Sequence, residues 1–534
     1  MEMTTRQLMN SLGVAMAMCL AAGGAANAKA LVYCLEGSPE NFNPALTTTN
    51  TSLDASRHVF DQLVEFERGT TNLIPGLAES WEFSDGGKTV TFHLRKGVKF
   101  GAVKDFTPTR DFNADDVLFS FNRQLKPDHP YHMVTGGKFD TFNDMDMGKI
   151  IQSIEKKDDS TVVFHLSEPN APFMANLAMD FASIGSAEYA DALTKKGTPE
   201  QIDQVPVGTG PYSFVAYQKD TVIRFKARPD YFRGKPAIDD YIISIVPDPT
   251  VRFAKLKAGE CTLMGFPRPS DLPEMEKDKS LQVMHQPGLN IAYWTFNEQK
   301  KPFDDVRVRR ALIMAIDKAA IIRDVYGNTG QAAKNPIPPT IWSYNDTVKD
   351  YPYDPEKSKT LLKEAGVTTP LDIDLWYMPV QRPYNPNPKR IGEMMQADLS
   401  KIGVNAKLVT YEWGEYRKRL QQGEAMTGQL GWTGDNGDPD NFFFLLGCNA
   451  ARDGGQNIAR FCDKTYEDKL QKARQSTDKE ERAQLYEDMQ TIAHDQAVWF
   501  TIAHSVVYEI AKSNLTGYKI SPLGRHEFAG ADLK

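Results

Sequence analysis

Apolar and polar residues alternate with period two in two segments of the first third of the chain. In KTVTFHLR, Val90, Phe92 and Leu94 fall on one face, and in STVVFHL, Val162, Phe164 and Leu166 do the same. This is the pattern of half-buried strands whose other face, with His93 and His165, meets water. From about residue 290 the pattern changes to strands followed by well-punctuated helices, which predicts a second, α/β lobe. In DDVRVRRALIMAIDKAAII, Asp304 or Asp305 supplies a cap, and Val308, Ala311, Leu312, Ala315, Ile316 and Ala319 keep helical spacing. In DPEKSKTLLKEAG, Asp354 caps, Pro355 takes the first helical position and Gly366 ends the helix. In NPKRIGEMMQADLSKIG, Asn387 caps, Pro388 follows, and Ile391, Met394, Met395, Leu399 and Ile402 line one face before Gly403. LDIDLW (371–376) and QLGW (429–432) read as short strands.

With 534 residues the chain exceeds the ~250 to 300 at which a single core stops growing, so at least two lobes are expected. A hydrophobic fraction of 41% and a charged fraction of 25% are those of a folded, soluble protein. The net charge of -8, with no basic block, argues against a nucleic-acid or anionic-membrane partner.

The amino end differs from the rest. Arg6 precedes an apolar stretch of 11 residues, LGVAMAMCLAA from Leu12 to Ala22, and GGAANA ends at Ala28. The stretch is too short to span a bilayer, and Ala26-Asn27-Ala28 has the small-x-small pattern that a signal peptidase cuts after, so residues 1–28 are expected to be a secretory leader. A lipid anchor on Cys19 is disfavoured because Met18 stands where a small residue would be needed. Removing the leader leaves Cys34, Cys261, Cys448 and Cys462. Four cysteines in an oxidising compartment allow three pairings by counting. The short polar loop between Cys448 and Cys462 makes that pair the economical choice, with Cys34 then left to Cys261.

Candidate chemistry lies in two loops. MPVQRPYNP follows the 371–376 strand and carries Arg382; GWTGDNGDPDNFFF (431–444) follows the 429–432 strand and carries Asp435. Loops at the carboxyl ends of strands are where ligands collect in open α/β sheets, so the two can face one crevice with opposite charge. An arginine fork grips a carboxylate and an aspartate accepts from an ammonium, a pairing suited to a zwitterion. Gly431, Gly434 and Gly437 are expected to let backbone approach the ligand, and Pro439 to stiffen the turn.

Hydrolase patterns are missing: there is no G-x-S-x-G, no H-E-x-x-H, and no S-x-x-K accompanied by K-T-G. DNGDPD fails as a calcium loop because its third position is Gly437 and its sixth Asp440. His129 and His132 in DHPYH are split by Pro130, and GTGPY (208–212) does not match a phosphate-binding loop. No cofactor and no metal site is expected.

IPGLAESWEFSDGGKTVTFHLRKGVKF resembles the signature of the family 5 extracellular solute-binding proteins, and GTGPY, FDDVRVRRALIMAIDK and DPEKSKTLLKEAG are similar to further family blocks in the same order. LVYCLEGSPENFNPAL, MPVQRPYNPNPKRIGEMMQADLSKIGV, VTYEWGEY and GWTGDNGDPDNFF resemble the members that bind dipeptides. The resemblance implies a bilobed α/β fold of the periplasmic-binding type (class II, large peptide-binding), with residues 29–287 plus 506–534 in the first lobe, an extra subdomain at about 61–200, and 288–505 in the second. It implies the disulfides Cys34–Cys261 and Cys448–Cys462. It also implies a monomeric, non-enzymatic periplasmic receptor that passes dipeptides to a membrane ABC permease. Asp435 would hold the ammonium and Arg382 the carboxylate, with Trp432, Trp413, Tyr384, Gly431 and Thr48 around the cleft. The loop after Ala45, LTTTNTSLDAS, departs from the family pattern, so ligand range is expected to change there. Alternatives on the same scaffold are haem, a tripeptide or a D-amino-acid dipeptide, and, from another class, a secreted peptidase.

Overall fold

The computed structural model describes residues 28–534; the expected leader, apart from Ala28, lies outside the described residues. The two period-2 segments form neighbouring antiparallel strands, Thr89–Leu94 and Thr161–Leu166. Val90, Phe92, Leu94, Val162, Phe164 and Leu166 are buried and His93 is exposed. Together with Ala78–Ser84 and Ile151–Asp158 they make a separate four-stranded sheet.

The main sheet runs in the order Val404–Val409, Leu371–Trp376, Thr427–Thr433, Asn290–Phe296, Trp499–Lys512, Leu263–Gly265, Ala30–Leu35, Asp240–Ile245, Val222–Ala227, Tyr212–Gln218. One strand joins its halves. The first part of Trp499–Lys512 pairs antiparallel with Asn290–Phe296, and its last part pairs with Leu263–Gly265 and Leu281–Pro287. The chain crosses between the halves twice, at 287–290 and near 505, and the crossings are stapled side by side. Gly288 N–H donates to the Ser505 carbonyl at 3.1 Å, and Ser505 N–H donates to Asn290 Oδ1 at 2.9 Å. A Cβ on Gly288 would sit 2.8 Å from the Ser505 carbonyl oxygen, so only glycine permits this approach.

Helix punctuation follows the local chemistry. Asp354 caps Pro355–Glu364 by accepting from Lys357 N–H, Asn387 caps Pro388–Ser400 by accepting from Arg390 N–H, and Gly366 and Gly403 take φ of +73° and +78°. Ile391, Met395, Leu399 and Ile402 are buried as the spacing predicts, while Met394 is half-buried. The run from 304 departs from expectation. Asp305 caps a helix that covers only Val306–Met314, and a second helix, Lys318–Ile321, starts behind Asp317, whose carboxylate accepts from Ala320 N–H. Ala319 is accordingly exposed. An aspartate inside an apolar run competes for backbone donors and caps a new helix there.

Cys34 bonds Cys261, closing 227 residues between the ends of two neighbouring strands, and Cys448 bonds Cys462 across 14. Among the described residues no helix is long and apolar enough to cross a membrane.

Candidate binding site between the two halves of the sheet

Leu371–Trp376 and Thr427–Thr433 are parallel neighbours, with Trp376 opposite Gly428. Their carboxyl ends therefore open on the same sheet edge, and the loops that leave them, with Arg382 and Asp435, form one wall of a cavity, the place where ligands are expected in an open α/β sheet. All seven residues singled out from the sequence line it: Thr48, Arg382, Tyr384, Trp413, Gly431, Trp432 and Asp435.

The Arg382 loop is held at three points. Arg382 and Asn385 exchange backbone hydrogen bonds at 3.0 Å, Asn385 Nδ2 donates to Gln429 Oε1 on the neighbouring strand, and Tyr326 OH donates to the Tyr384 carbonyl at 2.6 Å. Pro379, Pro383 and Pro386 restrict the segment further. The guanidinium does not wait alone. Arg382 Nη1 donates to Glu36 Oε1 at 2.7 Å and Nη2 to Thr51 Oγ1 at 3.1 Å, both partners lying on the opposite side of the cleft, and the pair is buried at 5% and 3% side-chain exposure. A guanidinium has five donors, so this contact leaves part of the fork for the cavity.

The Asp435 loop separates three aspartates by their partners. Asp438 pairs with Arg482 at 2.7 Å and Asp440 with Arg474 at 2.6 Å, whereas none of the ion pairs among the described residues includes Asp435. Asn441 organises the loop: its Oδ1 accepts from Asp435 N–H at 2.8 Å and from Trp432 Nε1 at 3.0 Å. Burial and the neighbouring Asp180 push the Asp435 carboxyl up to about 7. Arg525 and Arg57 pull the other way but are committed to Asp180, at 3.2 and 3.6 Å. A carboxyl in this setting is poised to ionise when a cation arrives.

The glycines also make room for protein side chains. A Cβ on Gly431 would lie 2.3 Å from the Tyr384 ring, on Gly434 2.9 Å from the Phe442 ring, and on Gly437 2.8 Å from Thr71 Oγ1. They admit neighbouring side chains that build the wall.

Sequence reasoning missed Glu36, Arg417, Asn441, Tyr293 and Gln456. Arg417 had a usable signal, since Trp413 and Arg417 are four apart in VTYEWGEYRKRL and share a helix face. Glu36 had none, because its partner is 346 residues away. His129 and His132 stay apart in their chemistry: His129 Nδ1 accepts from Tyr131 N–H, and His132 Nδ1 meets the Arg123 carbonyl. A roomier crevice of about 560 Å³ elsewhere in the first half is lined by Glu65 and Asp180, which are already matched by Arg233 and Arg525.

The two halves meet across the cavity. Besides Arg382–Glu36, Arg417 Nη2 donates to Thr48, Asn436 Nδ2 donates to Asn176 at 3.1 Å, and Arg452 pairs with Asp144 at 2.7 Å. An α/β fold of two lobes closed over a charged cleft defines a ligand-sequestering receptor, and the chain belongs to the bacterial extracellular solute-binding proteins, family 5, whose model matches residues 72–453. It is 54% identical over 528 residues to the dipeptide-binding protein of Escherichia coli (strain K12), covering 98% of each chain. It is 52% identical to heme-binding protein A of Haemophilus influenzae, over 94% of this chain and 92% of that one. The crystal structure of a dipeptide-binding protein from Pseudoalteromonas sp. SM9913 in complex with Met-Leu superposes with a TM-score of 0.92 at 38% identity, covering 95% of this chain and all of the other.

Proposed function

We propose that the protein captures dipeptides by their charged ends and delivers them to an ABC permease for uptake. The observation that carries this reading is the Asp435 carboxyl. It lines the cavity with no cation in contact, while the neighbouring Asp438 and Asp440 are neutralised by arginines. A ligand ammonium supplies the missing charge, and the part of Arg382 left free by Glu36 takes the carboxylate. Side chains of the peptide then face Trp413, Trp432, Tyr384 and the loop with Thr48, a lining of mixed aromatic and polar character. Closure raises the value of each ionic contact: a unit pair at ~4 Å is worth about 1 kcal/mol in water and about 4 at an effective dielectric near 20.

In this reading residues 1–28 are a leader cut after Ala28, and the mature monomer works in the periplasm. Residues 29–287 with 506–534 form one lobe, 288–505 the other, and 61–200 a subdomain of the first. The two stapled crossings serve as the hinge, and the closed form is the one the permease engages. The protein performs no chemistry on its cargo. Haem, suggested by the Haemophilus relative, fits the lining less well. No His, Cys or Met lines the cavity among the described residues, and burial pushes the hydroxyls of Tyr293 and Tyr384 up, away from the phenolate a metal would need.

The test is mass spectrometry of the small molecules released when the purified protein is denatured, beside an Asp435→Ala variant. Dipeptides present in the first and absent from the second support the reading. A single non-peptide compound, a Soret band or hydrolysed peptide would sink it.

A further inference from the structure

The carboxylate end of the cleft holds a second guanidinium. Arg417 lies on the helix Trp413–Gln421, one turn after Trp413, and lines the cavity with a side-chain exposure of 15%. It and Arg382 pack against the same Trp413 ring, at 6.0 and 5.2 Å from its centroid. Their charges are met differently. Arg382 has the buried Glu36 at 2.7 Å, whereas the nearest carboxylate to Arg417 is Glu40 at 3.6 Å, beyond hydrogen-bond range and 36% exposed. Exposed pairs of this kind contribute about 0–1 kcal/mol. Asp140 also faces Arg417, but it is shared with Arg452 and Lys138 and makes no ion pair with Arg417. Among the described residues the one hydrogen bond from Arg417 goes to a neutral hydroxyl, that of Thr48, and the Nε1–H of Trp413 is buried with no acceptor. The wall therefore presents an excess of positive charge and donors beyond what one α-carboxylate uses.

We propose that Arg417 reads the second side chain of the bound dipeptide and favours a carboxylate there, that is, a C-terminal aspartate or glutamate. The inference rests on the dipeptide reading. The residue whose α-carboxylate Arg382 takes lies beside Trp413, the ring that Arg382 and Arg417 share, so a carboxylate on its side chain has the more weakly paired guanidinium as its neighbour. The bidentate geometry of arginine distinguishes a carboxylate from the isosteric amide, which offers only one acceptor and no charge.

The test is calorimetry with Ala-Glu and Ala-Gln on the mature protein, on Arg417→Gln and on Glu40→Gln. Wild type is expected to prefer Ala-Glu by roughly tenfold or more, the range of a charged hydrogen bond. The preference should collapse in Arg417→Gln and increase in Glu40→Gln, where the exposed competitor is gone. The second variant changes a surface side chain and keeps the inference testable if the first folds poorly. Equal losses for both peptides in Arg417→Gln would mean that the Thr48 contact is only a latch between the lobes, and an unchanged ratio would mean that Arg417 reads nothing; either overturns the inference while leaving dipeptide binding intact. Failure of wild type to bind either peptide overturns both.

Discussion

Glu36 holds Arg382 from across the cleft. The carboxylate follows the strand Ala30–Leu35 on one side, the guanidinium sits in a loop of the other, and they meet at 2.7 Å with almost no exposure. The closed receptor thus supplies from within a carboxylate of the kind its cargo brings. Glu36→Gln should cost the unliganded protein about 3–5 kcal/mol, the penalty of leaving a buried charge without its partner. A saturating dipeptide should restore more of that loss than the gain it gives wild type. Urea unfolding with and without Ala-Ala measures both, and an unliganded stability equal to wild type would refute the role.

Binding should depend on pH through Asp435. Its carboxyl is raised to about 7 in the free protein, so below that pH it carries a proton that an incoming ammonium must displace. Affinity is expected to fall by up to about tenfold per unit as pH drops below 7, with one proton released on binding. Calorimetry in buffers of different ionisation enthalpy reads the proton directly. Asp435→Asn should weaken binding by more than about a hundredfold and flatten the profile. The same shift disfavours the ionised free protein, so this group's contribution makes the unliganded fold less stable as pH rises from about 4 to 7.

His526 supplies a second titration. Its ring lies between Asp54 at 2.7 Å and Glu509 at 3.4 Å, and despite burial these carboxylates raise it to about 9. A raised histidine stabilises fully below its unfolded value near 6.5, and the contribution disappears as pH rises through 9. Unfolding free energy should decline by roughly 3 kcal/mol over that window, and His526→Gln should remove the decline. A parallel pH dependence in the variant would assign the slope to other groups.

Gly431→Ala should damage the site through Tyr384. The new methyl would lie 2.3 Å from that ring and 2.4 Å from the Ile291 carbonyl oxygen, an overpacking expected to cost about 1–3 kcal/mol. Loss of dipeptide affinity should accompany the loss of stability, since the displaced ring borders Arg382. Wild-type affinity in this variant would show that the wall tolerates the shift.

The elements legible in the sequence were those whose signals are local. Asp354 and Asn387 announce their helices because the cap, the following proline and the closing glycine all lie within a dozen or so residues. The break at Asp317 was hidden because the apolar run keeps its spacing across the break. Asp435 and Arg382 could be placed on one edge because both follow predicted strands. That Arg382 is already paired, and that Gly431 makes room for Tyr384, depend on contacts between segments far apart in sequence, which no periodicity encodes. The i, i+4 spacing of Trp413 and Arg417 is visible in the sequence, but that this helix face lines the cavity is not.

The staple of Gly288 and Asn290 to Ser505 has a consequence for how such a chain came to be built. The segment between these points departs from the first half of the sheet and returns to it through one doorway, its ends tied to each other at 3.1 and 2.9 Å. Such a segment behaves as a cassette. Its entry and exit lie side by side, so the backbone of the host would close over its removal without rethreading, while the cleft contacts of Glu36, Thr48, Asn176 and Asp144 are what a replacement would have to match.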